Sequence, residues 1–345
     1  MWVISDPDME GHDPGLGHPE SPARLRAVRE ALAALSHVEQ VVAIEVDPSL
    51  LGRVHTAAYL AAIEAIEGQS AALDPDTRVS PGSGRAARLA AGAAVQAVDA
   101  VFDGRTDRVF AAVRPPGHHA LPDRSMGFCV YGNAALAAER ARERGAHRVW
   151  IVDWDVHHGN GTQAMFEDRA DVLFTSVHQE APFWPGTGRA SEIGIGPGRG
   201  FTVNCPLPPG AGDADHLAVL ERLFAPIADA FRPDLVVISA GFDGHRADPL
   251  GGQCLTEEGF AALAGAVCRV ADRWARGRVI ALLEGGYDLE ALGRSSAAVC
   301  RVLAGSEPPP IVGSVRGAAD QAIRRAASAR IRATIDPRSG SMPPV

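Results

Sequence analysis

Asp153, Asp155 and His157 recur at every second position of the stretch DWDVHHGNGT (153–162), directly after the apolar run Val149-Trp150-Ile151-Val152. In an extended segment, residues two apart point the same way, so the carboxylate of Asp155 and the imidazole of His157 can reach one divalent metal. Asp243, in AGFDGHRADPLGG, can supply a third donor. Three protein ligands leave one position for water, the arrangement of catalytic rather than structural zinc. A donor set without thiolates also leaves the ion more Lewis-acidic. The pair His118-His119 follows a Pro-Pro-Gly turn in RPPGHHA. One such imidazole can take a proton from water while its neighbour stays charged. Tyr287, behind two glycines in EGGYDL, offers a phenol that can hydrogen-bond a polarised carbonyl oxygen.

Each cluster taken singly reads equally well as a solvated loop or a helix cap. What separates them from that reading is the set of elements that carry them. Short β-branched runs occur at Trp2–Ile4, Val41–Ile44, Val109–Val113, Val149–Val152, Val172–Val177, Phe201–Cys205, Leu235–Ser239 and Val279–Leu283. Helical spacing fills Ala23–Leu35, Gly84–Phe102, Asn133–Arg144, Asp215–Phe231 and Glu257–Arg276 between them. Continuous apolar runs alternating with helices predict an α/β fold, a single doubly wound domain with a mainly parallel sheet of about eight strands. In such sheets ligands bind beyond the carboxyl ends of the strands, and all four polar clusters follow strand ends. Burying that many unpaired charges costs several kcal/mol each, so their convergence points to a site.

The chain has 345 residues, 46% of them hydrophobic, and a formal net charge of −9. No basic run is present, which argues against nucleic acid as a partner. No segment reaches the roughly 20 apolar residues of a membrane span. Cys129, Cys205, Cys254, Cys268 and Cys300 are scattered and odd in number, as expected for reduced core thiols of a cytoplasmic protein. We expect a domain over 1–305 and an appendage over 306–345, helical over Gly317–Thr334 and frayed over the final DPRSGSMPPV. The glycine-rich GIGPGRG (194–200) lacks the strand–helix context of a nucleotide loop and is expected to border the pocket.

The motifs RPPGHHA, DWDVHHGNGT, PGTG, SAGFDGHRADPLGG and EGGYDL, in this order, resemble those of the zinc-dependent histone deacetylases. The pattern is most similar to the class II-like branch that includes bacterial histone-deacetylase-like amidohydrolases. GHPESPARL and VHTAAYL extend the resemblance over roughly 10–305. It implies the arginase–deacetylase fold, with Zn2+ (Fe2+ being the alternative) held by Asp155, His157 and Asp243. It also implies His119 as general base and later acid, His118 as an electrostatic partner held by Asp153, and Tyr287 as the group polarising the amide carbonyl. Asn160 stands where class I members orient the second histidine with an aspartate; this is the class II pattern and should leave His119 less basic. A structural K+ is implied near backbone oxygens of Asp153, Asp155 and His157 with Ser176, and a second cation near Phe166.

By the same resemblance, Phe128 and Trp184 line a narrow tunnel, with Gly127, Gly285, Gly286 and Leu250 around it. Between two ring faces, each methylene of a linear chain gains about 0.8 kcal/mol. Leu250 occupies the position where polyamine-selective relatives carry a glutamate, which favours acetyl-lysine in a peptide or protein over a cationic polyamine. Arg24 matches an arginine of an internal acetate channel. The expected reaction is hydrolysis of an N-acetyl-lysine-type amide, the alternative being a small-molecule deacylase such as an acetylpolyamine amidohydrolase. A non-catalytic acyl-lysine reader would not need intact His119 and Tyr287. A binuclear manganese ureohydrolase would need further carboxylates. An oligomer is compatible with the sequence.

Overall fold

A computed structural model describes residues 1–335. The final segment expected to fray, 336–345, lies outside the described residues. The strands, in chain order, are β1 (Trp2–Ser5), β2 (Glu39–Val42), β3 (Ala71–Ala72), β4 (Arg78–Val79), β5 (Arg108–Ala111), β6 (Val149–Asp153), β7 (Val172–Gln179), β8 (Thr202–Leu207), β9 (Leu235–Ala240) and β10 (Val279–Leu283). Eight of them form one sheet in the order β2-β1-β5-β10-β9-β6-β7-β8, and every pairing in it is parallel. The remaining two, β3 and β4, form a small antiparallel hairpin.

The parallel arrangement follows from the sequence. β6, β9 and β10 are buried at every residue, as the unbroken apolar runs require when helices cover both faces. β2, at the sheet edge, is mostly exposed, and it begins two residues before the expected run. The helices Pro22–Ala33, Leu289–Leu303 and Glu257–Trp274 pack successively on one another, and Ser83–Phe102 packs on Asn133–Glu143.

Further differences from the sequence-based expectation have identifiable reasons. The helix expected over Asp215–Phe231 is split by a π-turn at Leu220–Phe224, immediately ahead of Pro226. Proline offers no N–H and crowds the preceding turn, so the ladder widens there. The loop 194–200 precedes β8 and contacts the backbone of Glu167. It therefore sits at the amino edge of the sheet, away from the pocket. Cys254 is exposed, unlike the four buried cysteines. The helix Gly317–Ile335 lies against β8, with Ala319, Ala322, Ile323 and Ala326 in the core.

Candidate active site

The four motif-bearing loops leave β5, β10, β9 and β6, which are four consecutive strands of the sheet. Residues more than a hundred positions apart thus meet at one carboxyl edge. Asp155, His157 and Asp243 present donor atoms that all lie within 4.8 Å of one another. Nδ1 of His157 is 3.2 Å from Asp155 Oδ1 and 3.1 Å from Asp243 Oδ2. The carboxylates are aimed by backbone donors: Asp155 accepts the N–H groups of His157 (2.8 Å) and Gly285 (2.9 Å), and Asp243 that of Val156 (2.9 Å).

This donor set fits a divalent ion. Tetrahedral bonds of about 2.0–2.1 Å separate ligand atoms by about 3.3 Å, close to the spacings of the His157 nitrogen from its two carboxylate neighbours. One ring nitrogen carries at most one proton, yet here it faces two carboxylates. Burial pushes the Asp243 carboxyl up, and the charge of Asp155 adds to the shift. Burial opposes charge on His157 too, but hydrogen bonds and charge from Asp155 and Asp243 outweigh it and raise the ring's pKa. The three groups therefore draw positive charge, and a divalent cation satisfies both acids together.

His118 and His119 lie beside these donors with ring centroids 3.9 Å apart. Nδ1 of His118 pairs with Asp153 Oδ2 at 3.0 Å, and its Nε2 is 3.8 Å from Asp155. Burial would discharge this ring, but Asp155 and Asp153 prevail and hold its pKa well above the ordinary value. His119 moves the other way: burial, then the positive neighbours His118 and His157, hold it well below. Its Nδ1 donates to Asn160 Oδ1 at 2.7 Å, which leaves Nε2 with a free lone pair. The pair is thus divided into a charged and a neutral imidazole by environment.

Tyr287 stands beneath the Arg24 guanidinium, 4.9 Å from its ring centroid, and edge-on to Phe128 at 6.0 Å. Burial pushes its phenol well up, so it remains a donor. Arg24 donates to the carbonyls of Gly286 (2.6 Å) and Glu284 (2.5 Å), behind the tyrosine. Trp184 meets His119 at 4.6 Å and His157 at 5.7 Å, both edge to face. A Cβ on Gly127 would collide with His119 and Trp184, so glycine admits the ring there. Leu250 is 38% exposed, on the loop that follows Asp243. Ser176 is the register partner of Asp153 and hydrogen-bonds His178 at 2.8 Å, while Phe166 lies farther along, at the end of the helix Asn160–Phe166.

Sequence reasoning missed several residues around this site. Phe183 stacks on His157, with centroids 4.9 Å apart and 17° between planes. Its place next to Trp184 in PFWPGTG was the available signal. Glu284 is buried and accepts the N–H groups of Gly117 (2.6 Å) and His118 (3.1 Å), fixing the turn into the histidine pair. Thr77, in the hairpin loop between β3 and β4, accepts the N–H of Phe128 at 3.0 Å. Glu20 binds Arg24 and Arg114 at 3.0 and 2.7 Å in a fully buried cluster.

Comparison with known proteins places this geometry in context. The histone deacetylase domain profile matches residues 18–303. A histone deacetylase-like amidohydrolase of Pseudomonas aeruginosa is 42% identical over 276 residues, covering 79% of this chain and 73% of its own length. The human polyamine deacetylase HDAC10 is 40% identical over 314 residues, 85% of this chain but 46% of the relative. The crystal structure of the HDA15 HD domain superimposes with a TM-score of 0.89 at 38% identity, over 96% of this chain and 94% of that one.

Proposed function

The chain belongs to the histone deacetylase family, and from that premise we propose that it is a zinc-dependent deacetylase that hydrolyses N-acetyl-lysine-type amides to acetate and a free amine. The observation that carries this reading is the meeting of two carboxylates and an imidazole with a divided histidine pair and a buried phenol. Asp155, His157 and Asp243 would hold the ion, Zn2+ or Fe2+. Bound there, it supplies Lewis acidity toward the acetyl carbonyl and the attacking water.

The protein's own groups do the rest. Nε2 of His119 is free to take a proton from the attacking water, because Nδ1–H is committed to Asn160. The same nitrogen then protonates the departing amine. His118, kept charged by Asp155 and Asp153, offsets negative charge as it develops. The Tyr287 hydroxyl donates to the oxygen of the former carbonyl, strongest when that oxygen is anionic. Phe128 and Trp184 would flank the aliphatic stem, and Arg24 would border the acetate path behind Tyr287. A K+ beside Asp153 and Ser176, a catalytic domain over 1–305 with an appendage over 306–345, and a cytoplasmic setting complete the reading. Among the described residues no helix is long and apolar enough to cross a membrane.

A second reading, deacetylation of a small cationic amine, draws support from the similarity to a polyamine deacetylase. Asp74 and Asp76 also accept from the Thr77 hydroxyl, whose oxygen accepts the N–H of Phe128, so acidic groups lie near Phe128. Exposed, apolar Leu250 favours the peptide substrate. Turnover of an acetyl-lysine peptide against acetylputrescine separates the two. The first reading predicts the higher kcat/KM for the peptide, and a higher value for acetylputrescine would replace it with the second.

A further inference from the structure

Asp248 has no part in the chemistry above, yet it joins two of that chemistry's loops. It lies between Asp243 and the rim residue Leu250, with 8% of its surface exposed. Its carboxylate accepts four backbone N–H groups. Oδ1 takes those of Leu250 (2.9 Å) and Gly251 (3.3 Å); Oδ2 takes those of Tyr287 (2.6 Å) and Asp288 (3.3 Å). One oxygen therefore holds the loop after β9, and the other holds the loop after β10.

We propose that Asp248 is a positioning residue, which sets the Tyr287 hydroxyl against the reacting carbonyl and fixes the rim at Leu250 through the same carboxylate. The assignment rests on the deacetylase reading for what Tyr287 does, and on geometry alone for what holds it. The Tyr287 ring is constrained by the face of Arg24 and the edge of Phe128, contacts that tolerate sliding. The helix Leu289–Leu303 is capped separately, since Asp288 Oδ1 accepts the N–H of Ala291 at 2.8 Å. The bond from the Tyr287 N–H to Asp248 is short and made to a carboxylate, and charge-assisted bonds are about twice as strong as neutral ones. It is the directional restraint on the residue that bears the phenol.

The test uses Asp248→Asn, which is isosteric but must turn an NH2 toward one pair of donors, together with Asp248→Ala. The chain contains three tyrosines, Tyr59, Tyr131 and Tyr287. Biosynthetic 3-fluorotyrosine labelling therefore gives three fluorine resonances, and Tyr287→Phe identifies the relevant one. Both Asp248 variants should move the Tyr287 resonance and leave the other two in place. They should also lower kcat about 10- to 100-fold, the scale of an ångström of misplacement. In the Tyr287→Phe background the same substitutions should lower kcat no further, because their effect on kcat passes through that hydroxyl, while the loosened rim at Leu250 is read in KM. An unmoved Tyr287 resonance in Asp248→Asn, or losses that multiply in the double variant, would overturn the proposal. Movement of all three resonances would reduce Asp248 to a general folding role. If the wild type turns over no acetylated amine, the deacetylase reading fails while the fluorine spectra still decide whether Asp248 positions the tyrosine.

Discussion

Gly285 shows how closely the donors are packed at the scale of single residues. A Cβ there would fall on the carboxylates of Asp243 and Asp155. Gly285→Ala should therefore displace both acids and lose the ion, while leaving the distant core unchanged. Metal analysis of the purified variant should find well under one equivalent and turnover should fall with it, whereas full metal content would show that the carboxylates can yield. The donors themselves were legible in the sequence because Asp155 and His157 stand two apart just past a buried strand, although the chain bends there, with the His157 N–H turned onto Asp155, rather than running extended. Glu284 and Asp248 were not, since their partners are backbone N–H groups contributed by other loops. Spacing along the chain carries no trace of such contacts.

At the scale of elements, the eight strands were readable from their apolar runs, but the order that sets β5, β10, β9 and β6 side by side was not. Order depends on which helices cross which face, a tertiary outcome. The helix Leu289–Leu303 is absent from the sequence-based reading, although Asp288 before a periodic apolar stretch is an N-cap signal. The cluster around Glu20 ties these elements together. Arg114, in the loop after β5, donates to Glu20 and to the carbonyls of Met9 (2.9 Å) and His12 (2.5 Å), while Arg24 reaches Glu20 from the helix Pro22–Ala33. Burial raises the Glu20 carboxyl, but Arg114, His12 and Arg24 outweigh it and keep the acid ionised. Glu20→Ala would leave two buried guanidinium groups without their acid and should lower unfolding free energy by about 3–5 kcal/mol in urea titrations. A loss below about 1 kcal/mol would mean that water reaches the cluster.

Across the whole molecule, buried neutral imidazoles set an acid limit on stability. His55 accepts the N–H of Gly132 (3.0 Å) and hydrogen-bonds the Leu121 carbonyl (3.1 Å), and burial lowers its pKa from 6.5 to about 4. Between those values the unfolded chain binds the proton and the folded chain does not. Stability therefore rises with pH across this window and is lost as pH falls through it, by about 3 kcal/mol for His55 at pH 4. His216, also lowered by burial, acts in the same direction. Urea unfolding at pH 7 and pH 5 should show the loss, and His55→Gln should make the slope shallower; an unchanged slope would place the acid sensitivity elsewhere. The sequence also contains no lysine. Free amine released from a substrate can thus be read with an amine-reactive dye over a background limited to the chain terminus.

The pocket formed by Asp155, His157 and Asp243 is the centre of the proposed chemistry, and one titration tests it directly. Protein stripped by chelation and dialysed free of chelator is assayed on an acetyl-lysine peptide while Zn2+ is added in sub-stoichiometric steps. The predicted result is no turnover in the stripped protein and recovery that reaches its plateau at one equivalent per chain. Undiminished turnover in metal-free protein would contradict the account.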